Sequence, residues 1–277
     1  MTTVIDASIE SDGSAAVPKG MNESQKSVTY GILQVAVVLA FLGIWELAAI
    51  TKIVDPFFIS SPTAVFAKAV DWIRDGTIYN HAIITLREAL IGWVIGSVIG
   101  VLVGFVLGRV EPIRRVFVPL LHLINTLPRI ALAPLFIFWF GIGELSKIIL
   151  VVTIIVFIMI FNTYSGVLTV NNDFLLTARL YGKREWEIMR EVIFPWIVPW
   201  IFVGLKLGLA WSLSGAVVGE FIAARGGIGY LIFNSASNLD NAGVLAGSVI
   251  LLILAMVFFL IISMAEKALL KWRPDAK

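Results

Sequence analysis

Stretches long enough to cross a bilayer recur along this chain, at about 28–51, 83–108, 116–141, 145–168, 195–223 and 243–266. Lipid offers no partner to a backbone N–H or C=O, so a spanning segment must satisfy its own, and about 20 apolar residues of helix do so. Charged residues make up 14% of the chain, against roughly 25% in a soluble domain. The expected fold is therefore all-α: a polytopic membrane protein with six transmembrane helices, placed at 28–267. Residues 1–27 are polar and acidic and lack the basic start and apolar core of a signal peptide; they read as a disordered cytoplasmic tail. Residues 268–277 read as a second cytoplasmic tail.

Basic residues orient the spans. With the N-terminus inside, thirteen Lys and Arg fall on cytoplasmic segments, Arg109, Arg114, Arg115, Arg179, Lys183, Arg184 and Arg190 among them. Five fall on the opposite side: Lys52, Lys68, Arg74, Lys147 and Arg225. Both termini are thus expected in the cytoplasm.

One polar island interrupts the apolar pattern, 171–194, closed by Pro195. Two short amphipathic helices fit it. Phe174, Leu175, Ala178 and Tyr181 share a face of the first; Trp186, Met189, Val192 and Ile193 share a face of the second. Gly182 separates them, as a residue able to take positive φ at a helix end. A compact knob of this kind implies a docking partner on the cytoplasmic side.

Several function classes are excluded or disfavoured. With no cysteine there is no disulfide framework or thiol nucleophile, and His81 and His122 lack metal-site spacing. No GxxxxGK[ST] occurs, so the chain has no phosphate cradle of that kind. No acid/base constellation converges, which disfavours a membrane enzyme. Nothing points to nucleic acid.

Within the spans, Gly92, Gly96, Gly100, Gly104 and Gly108 recur every fourth residue, which stacks them on one helix face and lets another helix come close. Pro119, Pro128 and Pro134 interrupt the third span, and broken backbone at membrane depth is tolerated where it is buried or lines a cavity. That span is the first choice for a pore-lining element. Outside the membrane, 60–76 reads as an interfacial helix with an apolar stripe of Val65, Phe66, Ala69, Val70 and Ile73. Residues 225–241 are too short to span and too apolar for a free loop, and suit a helix dipping back into the outer leaflet or covering the pore mouth.

Ionisable residues inside spans need partners or functions. Arg129 lies about thirteen residues into the third span, roughly 20 Å deep at 1.5 Å per residue; with Asn125, Pro128, Lys206, Ser212 and Ser214 it is a candidate for a translocation pathway. Glu220 and Tyr230 are candidates for an outer gate or a loop anchor. Arg87 and Glu88 read as an interfacial pair, and Glu46 as partner to another helix.

The island and its flanks resemble the permease subunits of bacterial ATP-binding-cassette importers, whose cytoplasmic signature is EAA, three residues, Gly, nine residues, then IxLP. Here the spacing is carried by Leu176-Thr177-Ala178, Gly182 and Val192-Ile193-Phe194-Pro195. The acidic first residue and the first alanine are replaced. The stretches SSPTAV, TLREALIGWVIG, LPRIALAPLFIFWFGIG, YGKREWEIMREVIFPWIVPWIFVGLKLGL and VVGEFIAARGGIGYLI look like the branch that imports sulfonates, taurine, nitrate and related anions.

The resemblance implies a type I importer permease in a bacterial inner membrane, binding no cofactor itself. ATP and magnesium would belong to two partner ATPase subunits. The other partners would be a second permease copy or paralogue and an extracytoplasmic binding protein. Ala178, Tyr181, Gly182, Trp186, Met189 and Pro195 would couple to the ATPase. The expected cargo is a small anion, with an aromatic acid or a neutral or cationic heterocycle as the alternative. A stand-alone secondary transporter or channel is the rival class; it should carry an internal repeat or strongly charged midplane sites, and no convincing repeat is seen.

Overall fold

The computed structural model describes residues 23–53 and 55–270. The predicted tails therefore lie largely outside the described residues, although 23–27 already belong to the first helix. Among the described residues every regular element is helical: α1 Glu23–Ile50, α2 Pro56–Ile59, α3 Pro62–Arg74, α4 Thr77–Arg109 and α5 Glu111–Asn125. A 3-10 turn, Arg129–Leu132, leads into α6 Ala133–Phe140, then α7 Glu144–Leu168, α8 Asn172–Leu180 and α9 Glu185–Ile188. A π-helical turn, Met189–Ile193, leads into α10 Phe194–Ala223, followed by α11 Ile228–Ser237 and α12 Asn241–Leu269. Among the described residues five stretches are long and apolar enough to cross a membrane, and six if α5 and the Arg129–Phe140 stretch are counted as one broken span.

The chain divides into two compact units at Thr63–Ala64. In the first, Glu46 accepts the Thr63 backbone N–H (3.1 Å) and the Thr63 hydroxyl (2.8 Å). Its carboxylate thereby satisfies an orphan donor at the start of α3, so Glu46 does partner another helix.

The second unit is built on α4, α7 and α10. The glycine ladder explains how closely α4 and α7 pack. A β-carbon on Gly92 would sit 2.6 Å from Val151 Cβ, one on Gly96 2.8 Å from Ile155 Cβ, and one on Gly104 2.9 Å from Thr163 Cβ. The partners advance by four along α7 as the glycines advance by four along α4, so the two helices run parallel in register. The apolar core of this triple includes Ala89, Leu150, Val151, Ile155, Met159, Leu213 and Ala216. Trp93 crosses from α4 to donate its indole N–H to the Leu205 carbonyl on α10 at 3.1 Å.

Two expectations change in shape. The third span is not straight: α5 and the segment that follows it are bent by 77°, so counting residues from its start does not give the depth of Arg129. Of its prolines only Pro128 stands at the break; Pro119 is inside α5 and Pro134 in the first turn of α6. The interfacial helix α3 also turns a different face inward. Val65 and Trp72 are buried and Lys68 and Ala69 half-buried, the i, i+3, i+4, i+7 pattern, whereas Phe66 and Ile73 are exposed.

Candidate functional site

The island folds as the spacing around Gly182 predicts. Asn171 caps α8 by accepting the Asp173 N–H at 2.9 Å. At the other end Gly182 adopts φ +74°. The Lys183 N–H donates to the Ala178 carbonyl (3.1 Å) and the Gly182 N–H to the Arg179 carbonyl (2.9 Å). This is the Schellman arrangement, which needs a left-handed residue and so favours glycine. Two residues after Gly182, the Arg184 N–H donates to Glu187 at 2.7 Å, starting α9.

Pro195 shapes the second half. It has no N–H for the Glu191 carbonyl and its ring would crowd that turn. The helix widens instead into the π turn, with the Phe194 N–H reaching Met189. Helices widen in this way frequently at functional sites.

Ion pairs brace the knob. Glu185 accepts from Arg179 (2.8 Å) and from Arg109 at the end of α4 (3.2 Å), and Lys183 pairs with Glu191. Ala178, Ile188, Ile193 and Ile197 are buried together with Val167. The outward surface keeps Leu180, Tyr181 (83% exposed) and Trp186 (67% exposed).

The expected face of Trp186 with Met189, Val192 and Ile193 is therefore split. Trp186 points out, Met189 and Val192 are half-buried, and Ile188, absent from that face, is fully buried. Ile188 and Ile193 are five apart, the spacing of the π hydrogen bond, and a search at 3.6 residues misses it. An open groove of about 410 Å³ runs between α8 and the start of α10, lined by Phe174, Ala178, Tyr181, Val192, Pro195 and Trp196 among others.

The broken span brings three predicted residues together. After Asn125 the chain leaves the helix and resumes at Pro128, whose carbonyl accepts the Ala131 N–H. Arg129 donates to Asn125 Oδ1 at 2.6 Å and lies over the Phe157 ring at 4.1 Å. No acid among the described residues pairs with it. Two other cations within the predicted spans do have one: Lys206 pairs with Glu266 on α12, and Arg87 with Glu144.

Two further pathway candidates separate. Ser212 is fully buried and donates to the Leu209 carbonyl (2.7 Å) on its own helix, so it lines no opening here. Ser214 is exposed and bonds Ala210.

At the far end of the bundle from the island, Glu220 is buried and receives the Thr85 hydroxyl and the Gly229 N–H, each at 2.6 Å. It therefore anchors α11, the short apolar helix expected in 225–241. Tyr230 on α11 stacks on His81, with ring centroids 5.8 Å apart. Arg87 and Glu88 do not pair with each other, contrary to expectation. Glu88 is fully buried and takes Lys147 at 2.7 Å. Lys147, expected in an outer loop, is a buried residue of α7.

Residues 96–271 match the family described as binding-protein-dependent transport system inner membrane component. Relatives span nearly the whole chain. A putative aliphatic sulfonates transport permease protein of Bacillus subtilis is 27% identical, over 96% of this chain and 95% of that one. A formylaminopyrimidine transport permease protein of Halalkalibacterium halodurans is 30% identical, over 85% and 93%. In fold, the chain is similar to one in the inward-facing MetNI methionine ABC transporter, with a TM-score of 0.56 at 17% identity, over 69% of this chain and 93% of that one.

That likeness is to type I importer permeases, all-helical subunits that bind no cofactor of their own. The chain belongs to the inner-membrane components of binding-protein-dependent transport systems: it is a multi-pass permease subunit of an ATP-binding-cassette importer, and ATP is hydrolysed in a separate subunit.

Proposed function

We propose that the island, 171–194, is the cytoplasmic handle by which two ATPase subunits, one per permease copy or paralogue, drive a pore for a small anionic solute. The observation that carries this reading is the build of the island. One face is locked into the bundle through Ala178, Ile188 and Ile193, while Tyr181, Trp186 and Leu180 stand exposed on a rigid, capped turn at Gly182. A knob of this kind transmits rigid-body motion rather than absorbing it.

Met189 and Pro195 act by joining the handle to α10 through the π turn. The basic residues Arg109, Arg114, Arg115, Arg179, Lys183, Arg184 and Arg190 at that end support a cytoplasmic location, and with it cytoplasmic termini.

The solute passes the broken span. Arg129, held by Asn125 and paired with no acid among the described residues, offers the positive charge that a sulfonate, taurine or nitrate needs. Lys206 carries less of that role, since Glu266 neutralises it. Ser214 is the other polar pathway residue, and Glu220 with Tyr230 holds the outer gate. A heterocyclic cargo is the second reading, favoured by the formylaminopyrimidine relative and by the Phe157 ring under Arg129.

The natural chain has no cysteine, so single-cysteine variants test sidedness cleanly. Trp186→Cys should react with a membrane-impermeant maleimide only in inverted vesicles, and added ATPase subunit should protect it. Reaction in intact cells would overturn the proposal.

A further inference from the structure

The first three backbone N–H groups of the α11 turn are all taken by side chains of other helices. Gly227 donates to His81 Nδ1 at 2.9 Å, Ile228 to the Thr85 hydroxyl at 2.8 Å, and Gly229 to Glu220 at 2.6 Å. These donors would otherwise be orphans of a helix N-terminus. Thr85 in turn donates to Glu220, closing the set.

Glycine is what lets the backbone reach these groups. A β-carbon on Gly229 would stand 2.7 Å from Glu220 and 2.8 Å from the Val217 carbonyl, and Gly227 has φ +111°. His81 and Thr85 are four apart on one face of α4, and neither has another role in the proposed transport path.

One of these three acceptors is conditional. Imidazole Nδ1 accepts an N–H only when neutral, with its proton on Nε2; the imidazolium carries a proton on both nitrogens and can accept nothing. His81 is half-buried, in the first turns of α4. That helix has 33 residues, roughly 50 Å at 1.5 Å each and longer than the ~30 Å hydrocarbon layer, so its ends reach water.

We propose that His81 is a positioning residue that holds α11 shut through the Gly227 N–H, and that protonation of its imidazole from the non-island side releases that hold. This rests on reading Glu220 and Tyr230 as the outer gate. Acid then favours the open position of α11, because the released turn is the form that accommodates the added proton.

Other charges face the same cluster: Glu220 from α10, Glu88 from α4 and Lys147 from α7, with the Tyr230 ring of α11 against the imidazole. Titration of either carboxylate is thus the competing source of any acid response.

The test is amide exchange at 227–229 in the full chain in lipid nanodiscs, expressed as protection relative to the intrinsic rate, between about pH 8 and about pH 5. His81→Asn places an oxygen acceptor near the position of Nδ1 but cannot titrate. Wild type should lose protection by a factor approaching roughly tenfold per pH unit below the imidazole pKa. His81→Asn should stay protected throughout.

Flat protection in wild type overturns the proposal. So does a parallel loss in His81→Asn, which would assign the response to the carboxylates. The gate reading is checked separately, by whether acid speeds labelling of Ser214→Cys by maleimide added from the non-island side, each rate taken relative to a fully exposed thiol at the same pH because only the thiolate reacts. If protection falls but labelling does not change, the latch stands and the gate does not.

Discussion

Lys147 on α7 buries its ammonium 2.7 Å from the Glu88 carboxylate on α4, with side-chain exposures of 5% and 0%. Desolvating two charges costs much of what their attraction returns, so the pair adds little net stability, yet removing one member leaves the other stranded. Lys147→Met should therefore destabilise the chain by about 3–5 kcal/mol, and Lys147→Met with Glu88→Leu should recover most of that. A double-mutant cycle on thermal unfolding in detergent measures it; equal losses in the single and double variants would show that the pair is not the cause.

The α4–α7 seam should tolerate no side chain. A β-carbon on Gly100 would lie 2.7 Å from the Val156 carbonyl, and one on Gly104 2.6 Å from that of Ile160. Backbone atoms cannot turn aside as a side-chain tip can. Gly104→Val should cost at least about 1–3 kcal/mol, read as a lowered Tm. Gly43→Ala on α1, with nothing within 4 Å, should be neutral or stabilising.

The seam was legible in sequence because a four-residue glycine period survives on a helix whichever neighbour it meets. The Schellman turn was legible too, since only Gly182 among the island's central residues takes positive φ cheaply. The Lys147–Glu88 pair was not: its members are 59 positions apart, and the charge count assigned Lys147 to the outer side although it falls just inside the span 145–168. Nor was the bend, because Pro128 marks a break but carries no information on its angle. Trp186 misled because the π turn shifts every later residue against a 3.6-residue grid. His81 and Thr85, four apart at the start of α4, were in plain view, but their partner is the backbone of α11, which leaves no side-chain signal.

Gly182→Ala should show the cost of the left-handed turn by itself. Nothing lies within 4 Å of its added methyl group, so the penalty is backbone strain of about 1–2 kcal/mol. Under the handle reading, a β-branched Gly182→Val should lower solute imported per ATP hydrolysed while membrane insertion is unchanged. Unaltered coupling in reconstituted vesicles would remove Gly182 from the handle.

Arg129 is the intramembrane cation without an acid partner among the described residues, and Asn125 and Phe157 fix its plane. Arg129→Ala should slow uptake of an anionic cargo by roughly 10- to 100-fold, the value of about 1.5–3 kcal/mol for a charged hydrogen bond. Arg129→Lys should lie between, as lysine keeps the charge but loses the planar fork. Normal kinetics in Arg129→Ala, with the complex assembled, would take Arg129 out of the path.

Asp240 should make the start of α12 acid-labile. Burial pushes its carboxyl up, but the Lys68 ammonium at 2.7 Å and the Gly243 N–H at 2.9 Å outweigh this and hold it below the usual carboxylate range. A group whose folded pKa is depressed contributes stability above its unfolded value, about 3.9, and that contribution is lost as pH falls through the folded value. Protection of the Gly243 amide should therefore be flat from neutrality down to about pH 4 and fall below it. Asp240→Asn keeps an oxygen for Gly243 but no charge for Lys68, so its protection should start lower and lose this pH dependence. A variant that still titrated with the wild-type midpoint would place the acid response elsewhere.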